Sequence, residues 1–531
     1  MQTLANLLDT ACDASPASEA VVGLEARSDW AGWLRASAAV ADRLVDAGVV
    51  PGDRVAVACL KDLQSYVAVH AVLRAGAVVV PVDPLAPAAV VHDVLRDADV
   101  AAILGDAPTL DAIDPWGVGG LSLRAVVRRG SDPVDEYTMD WDEVVTSSAS
   151  VSSPVDVGLG DPAYIIYTSG STGRPKGIVH THGSALAYAQ RAVDTYGLTP
   201  LDRVAGIPPL HFDQSTFELY AAPLARAAVV AVSEAQVRFP ATLTQRSADE
   251  RITVWYSVPS LFRQLVERGG LADRDLSSLR HILYGGEPFP GGALAELHEA
   301  LPHVEVTNVY GPAEVNECTN HRVEFPVDPS GETPIGRPWT GVDVAVVDSD
   351  GIEAREGELL VTGPTMMLQY WRRPDLTERA TVERDGRRWY CTGDVVSVDD
   401  DGVLWFRGRR DNQIKLRGVR LELEAVEAVV GDAPGIAEAV VGPDPTTTHL
   451  EAAVVLRDST ELDLAAVRQF CTARLAAIAV PRRFHVRDTL PTTASGKIDR
   501  SAVRSALATD ESDEAADEDP VQPSMPQAPV S

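Results

Sequence analysis

The chain has 531 residues, 45% of them hydrophobic and 23% charged, with a formal net charge of −31 at pH 7. That length exceeds one ordinary core, so at least two domains are expected. The negative charge opposes contact with a phosphate backbone, and no apolar run is long enough to cross a bilayer, so neither nucleic acid nor a membrane is an expected partner.

The opening segment, MQTLANLLDTACDASPASEA, holds no Lys or Arg and no compact apolar core. Neither a signal nor a transit peptide is expected from it, and the expected location is cytoplasmic. Further along, Asp53–Cys59 reads as a buried strand, Tyr66–Ala75 as an amphipathic helix and Ala77–Val82 as a second β-branched run. The same rhythm returns at Ala163–Thr168, 204–209, Ala227–Ser233, 253–259 and 281–286. Such alternation predicts an α/β fold with mostly parallel sheets. The Ser- and Val-rich stretch Thr146–Asp156 is expected to be irregular. After Arg410 the pattern changes, and 416–430, 451–458 and 464–477 suggest a small α+β domain. Residues 510–519 carry seven acids and nothing basic follows, which predicts a disordered tail. The expected division is therefore 1–410, 411–508 and a tail over 509–531. Cys12, Cys59, Cys318, Cys391 and Cys471 are scattered without metal-ligand spacing, so neither disulfides nor a zinc site is expected.

The most informative segment is Tyr167–Gly177, YTSGSTGRPKG, which holds four Ser/Thr hydroxyls, three glycines and two cations. Glycines let backbone N–H groups approach phosphate oxygens, hydroxyls donate further bonds, and Lys176 neutralises charge. A P-loop NTPase is disfavoured, because Arg174-Pro175 separates Gly173 from Lys176 and Gly177 stands where a Ser or Thr is needed.

This loop resembles the core signature of the adenylate-forming superfamily, which includes acyl-CoA synthetases and nonribosomal peptide synthetase adenylation domains. Seven further blocks stand around it in the family's order: Leu73–Asp83, His211–Ser215, Asn308–Glu314, Gly357–Pro364, Tyr390–Asp394, Gly408–Gly418 and Leu490–Arg500. The resemblance covers roughly residues 28–500. It implies a large N-terminal domain of stacked α/β sheets and a small mobile α+β C-terminal domain. It also implies ATP and Mg²⁺ as cofactors. Thr168, Ser169, Gly170, Ser171, Thr172, Gly173 and Lys176 would hold the phosphates, with Tyr310 near adenine and Asp394 and Arg409 at the ribose. Glu314 would hold the metal. Lys497 would bridge the substrate carboxylate and the α-phosphate, stabilising charge as the bond forms, and Asp411 would be the hinge. Ala313 departs from the Thr usual in the family, and Glu424-Ala425 from the usual Gly-Glu.

Members that take amino acids resemble this chain in placing an aspartate at Asp213, where it would pair with the substrate ammonium. The family's other selectivity positions fall on Gln214, Phe217, Ser260, Leu283, Gly285, Val309, Glu317 and Cys318. A small or polar substrate such as alanine or serine is expected from this set, with diamino and β-amino acids left open. Glu317 either meets a polar group of the substrate or forms an ion pair within the protein. No phosphopantetheine-site or condensation motif occurs. The expected reaction is therefore ATP-dependent formation of an aminoacyl-AMP, followed by transfer to the phosphopantetheine thiol of a separate carrier protein. An acyl- or aryl-CoA synthetase is the alternative, and a non-catalytic relative is disfavoured by Lys497, Asp394, Glu314 and the intact loop.

Overall fold

The computed structural model describes residues 1–121, 123–129, 138–146, 151–168, 175–410, 413–444, 449–457, 462–492 and 498–507. Among these, the strands form five sheets. Short β-branched runs make the centre of the two largest, since a parallel strand covered on both faces must be apolar throughout. One sheet of eight strands is built around Arg54–Ala58, Val78–Pro81, Val100–Asp106 and Pro162–Thr168, which run parallel. Lys176–Thr181 returns antiparallel beside Pro162–Thr168. The second sheet has nine strands, and its parallel centre contains Arg203–Gly206, Val254–Ser257, His281–Gly285 and Glu305–Tyr310.

One apolar core joins Val55 and Val57 of the first sheet to Val204 and Val229 of the second. The helices Trp30–Asp46 and Leu63–Arg74 pack within it, contributing Trp30, Trp33 and Tyr66. Asp29 caps the first of these helices by accepting from the Gly32 N–H at 2.7 Å. An antiparallel five-stranded sheet follows, and its long strand Arg387–Val398 pairs with Leu404–Arg409.

The chain then builds a second, smaller core. A hairpin joins Gln413–Leu416 to Val419–Glu422. The helix Leu423–Gly431 follows, and then a three-stranded sheet of Ile436–Pro443, Leu450–Leu456 and Arg483–Val486. Leu416, Leu421, Val426, Ile436 and Val454 fill this separate core, so the fold is a large α/β domain followed by a small α+β one. The expected tail lies outside the described residues. All five cysteines are free thiols. Among the described residues no helix is long and apolar enough to cross a membrane.

Candidate active site

Val254–Ser257, His281–Gly285 and Glu305–Tyr310 end at a cavity of about 360 Å³. This is the end at which open parallel sheets bind ligands. Asp213, Gln214, Tyr256, Val309 and Glu317 line one part of the cavity, and Thr168, Asp394 and Arg409 another. A further part of its wall comes from the small domain, through Lys415, Gly418 and Arg420 of the hairpin and Val426 of the following helix.

The hairpin reaches the large domain because of its turn. Arg417 and Gly418 both have positive φ, +48° and +79°, the pairing that a two-residue turn between twisted strands requires. Gly418 donates its N–H to Glu287 Oε1 at 2.6 Å, and a Cβ there would lie 2.5 Å from Val258 Cγ1. Only glycine permits so close a seat.

Beyond that turn, a run of polar contacts crosses the domain boundary. Asp394 accepts from Tyr310 Oη on one oxygen and from Arg409 on the other. Arg409 also donates to Gln413 Oε1 at 3.0 Å, and Arg420 donates to the same oxygen at 2.6 Å. Arg420 reaches both oxygens of Glu314, at 2.9 and 3.1 Å, and Tyr370 donates to Glu314 Oε1 at 2.6 Å. Burial alone would raise the Glu314 carboxyl, but Arg420 and Lys176 beside it, with the Tyr370 hydroxyl, hold it at about 2. Because both oxygens serve Arg420, Glu314 in this arrangement does not fit a divalent cation, which asks for a free carboxylate oxygen. Among the described residues no cluster of three or more metal-ligating side chains occurs elsewhere.

The other end of the cavity is built differently. Asp213 opens a short helical turn that passes into a π turn over Phe217–Ala221, a geometry common where a side chain must be re-aimed. It is half-buried and lines the cavity. Burial raises its affinity for a proton, and the nearby Lys415 only partly offsets this. Lys415 is itself enclosed, its ammonium disfavoured by burial and supported by Asp394 and Asp213. Phe217, Leu283 and Cys318 are fully buried behind the lining. Gln214 reaches the Gly285 carbonyl at 3.5 Å.

Ser260 is not brought to the cavity. It sits in the first turn of the helix Pro259–Arg268, and its N–H faces Glu287 at 3.3 Å. Tyr256, on the preceding strand, lines the wall instead. Thr168 ends its strand with a buried hydroxyl that has no hydrogen-bond partner among the described residues, an arrangement suited to a phosphate oxygen. Lys176, at the start of the returning strand, lies 3.7 Å from Glu422 and 4.0 Å from Glu314. Ala313 fixes its neighbourhood through its carbonyl, 2.9 Å from His180 Nε2. Ser169, Gly170, Ser171, Thr172, Gly173, Asp411 and Lys497 lie outside the described residues.

The two domains thus meet over the strand ends, with the Asp394–Arg409 pair on one side of the cavity and Asp213 on the other. The family model described as AMP-binding enzyme matches residues 8–371, and that described as AMP-binding enzyme C-terminal domain matches residues 425–497. The chain belongs to the AMP-binding enzyme family.

Among its relatives, the L-proline--[L-prolyl-carrier protein] ligase of Pseudomonas fluorescens is 35% identical over 464 residues, covering 86% of this chain and 89% of that protein. The enzyme of the same name from Streptomyces coelicolor is 36% identical over 480 residues, with 87% and 88% covered. The amide bond synthetase McbA from Marinactinospora thermotolerans superposes with a TM-score of 0.83 at 27% identity, covering 95% of this chain and 99% of that one. PA1221, an NRPS protein containing adenylation and PCP domains, gives 0.79 at 26%, with 94% and 84% covered.

Proposed function

We propose that this protein condenses a cyclic secondary amino acid of the proline class with ATP, releasing pyrophosphate, and passes the aminoacyl group from the adenylate to the thiol of a carrier protein, releasing AMP. The observation that carries this reading is Asp213, a half-buried carboxyl on the cavity wall whose charge Lys415 only partly supports. Such a group is costly unless a cation arrives, and a ring ammonium supplies the charge and two N–H donors. Tyr188, Tyr256 and Val309 give the same cavity apolar faces for a ring. The similarity to two proline–carrier ligases supports proline over the alanine or serine expected from the wall residues, and that expectation is corrected here. The aromatic faces of Tyr188 and Tyr256 on the wall suit a ring.

In this reading Asp394 and Arg409 hold the ribose, Tyr310 packs toward the base, Thr168 and Lys176 meet the phosphates, and Lys497 neutralises charge at the α-phosphate. Magnesium would require Arg420 to leave Glu314, so we assign it to a different seating of the small domain, with Asp411 as the hinge. The arrangement described here would serve the second step. Its cavity extends between Val90 and Val94 of the large domain and Leu475 and Ile478 of the small one, an apolar path suited to a pantetheine arm.

ATP–pyrophosphate exchange across a panel of amino, aryl and fatty acids tests this, with thioester formation on a holo-carrier followed by intact-protein mass measurement. Exchange with proline-class acids is expected, and its loss in Lys497→Ala. Exchange restricted to aryl or fatty acids, or transfer to coenzyme A alone, would sink the reading.

A further inference from the structure

Glu317 stands at the wall of the same cavity and is almost wholly buried. Its Oε1 meets the Tyr196 hydroxyl, while Oε2 is buried with no hydrogen-bond partner among the described residues. Among the described residues it takes part in no ion pair, and burial alone pushes its carboxyl well above the usual range. The shell around it is aromatic. Tyr196 lies 6.1 Å from Phe217 and 6.2 Å from Trp339, ring centre to ring centre, and Tyr188 lies 5.9 Å from Trp339. Tyr188 feels the charge of both Asp213 and Glu317, so both carboxyls lie near its hydroxyl.

A pocket for an unsubstituted hydrocarbon ring has no use for this group. A valine or methionine would close the wall without desolvating an oxygen that nothing satisfies. We infer that the substrate is a proline-class acid whose ring carries a hydroxyl or a second nitrogen, held by Glu317 while Asp213 takes the ring ammonium. The inference rests on the proposed function above and narrows its substrate. A hydroxyl or ring amine can both donate and accept, so it satisfies Oε2 whichever oxygen carries the proton. Sites built to hydrogen-bond a polar group discriminate strongly against the analogue that lacks it, because the site's own group is then left unpaired.

The test compares kcat/KM in ATP–pyrophosphate exchange for proline, the 3- and 4-hydroxyprolines and hexahydropyridazine-3-carboxylate, using the full chain. At least one polar-ring acid is expected to exceed proline by about tenfold or more. Glu317→Val should cut that ratio by about tenfold or more and Glu317→Gln by less, with folding checked by thermal melting. A wild-type ratio below that threshold overturns the inference, as does a ratio unmoved in a folded Glu317→Val. If Glu317→Val does not fold, the wild-type ratio and Glu317→Gln decide. Exchange with proline alone among the ring acids overturns this inference and leaves the proposed function standing. Exchange with none of them overturns both.

Discussion

The two ends of the cavity treat their acidic side chains in opposite ways. Where the hairpin meets the large domain, Glu314 and Asp394 are each gripped by a guanidinium, from Arg420 and Arg409. At the other end no guanidinium among the described residues meets Asp213 or Glu317, and Lys415 with the backbone N–H of Gln214 softens the field at Asp213. Of the paired carboxylates, Glu314 ties the small domain to the large one, while Asp394 and its Arg409 partner both belong to the large domain and reach the small one through Gln413. Unpaired ones of the second kind are tolerated only if something from outside completes them, which makes them a reading of the substrate rather than of the fold.

The largest expected effect comes from removing an unpaired carboxylate. Asp213→Ala should lower kcat/KM for the amino acid by about 2–5 kcal/mol, roughly thirtyfold to several-thousandfold, since the ammonium loses a desolvated partner. Exchange kinetics check it, and an unchanged value would erase the distinction between the two ends.

Arg420→Ala acts on the paired end. Adenylate formation should persist while single-turnover transfer to the carrier slows by about tenfold or more, the scale of a lost charged hydrogen bond. Equal losses in both steps would show that the pair does not belong to one seating of the small domain.

Acid pH separates the ends without mutation. Asp213 has a raised proton affinity, so as pH falls it takes a proton before an ordinary carboxylate of pKa about 3.9 would, and loses its hold on the ammonium. Glu314, held at about 2, stays charged throughout. The pH profile of kcat/KM for the amino acid should therefore fall by at most about tenfold per pH unit, beginning above the usual carboxylate range. Asp213→Asn should flatten that limb.

The smallest effect is expected for Tyr310→Phe, which removes one of the hydrogen bonds to Asp394. It should raise the KM for ATP by an amount worth about 0.5–1.5 kcal/mol and leave the amino-acid KM alone.

Much of this architecture is legible in the sequence, because parallel strands buried on both faces write themselves as β-branched runs. Asp53–Cys59 and Ala163–Thr168 are such runs, and strands lie at Arg54–Ala58 and Pro162–Thr168. Side-chain aim is less legible. Whether Tyr256 or Ser260 reaches the cavity depends on where a strand stops and a helix starts, and a shift of a residue or two at that junction changes which face looks inward. Arg420 and Lys415 stand in or beside a recognisable block, yet nothing local tells that a separately folded domain carries them back over the strand ends. That information sits in the turn at Arg417-Gly418 and its contact with Val258.

Gln413 carries a consequence of its own. Its carbonyl oxygen serves both guanidinium groups, and its nitrogen faces Glu422. The amide therefore has one admissible orientation, and rotating it would turn a donor toward two cations. The hairpin thus registers its two carboxylates as a conjunction: withdrawing either arginine unsettles the contact of the other.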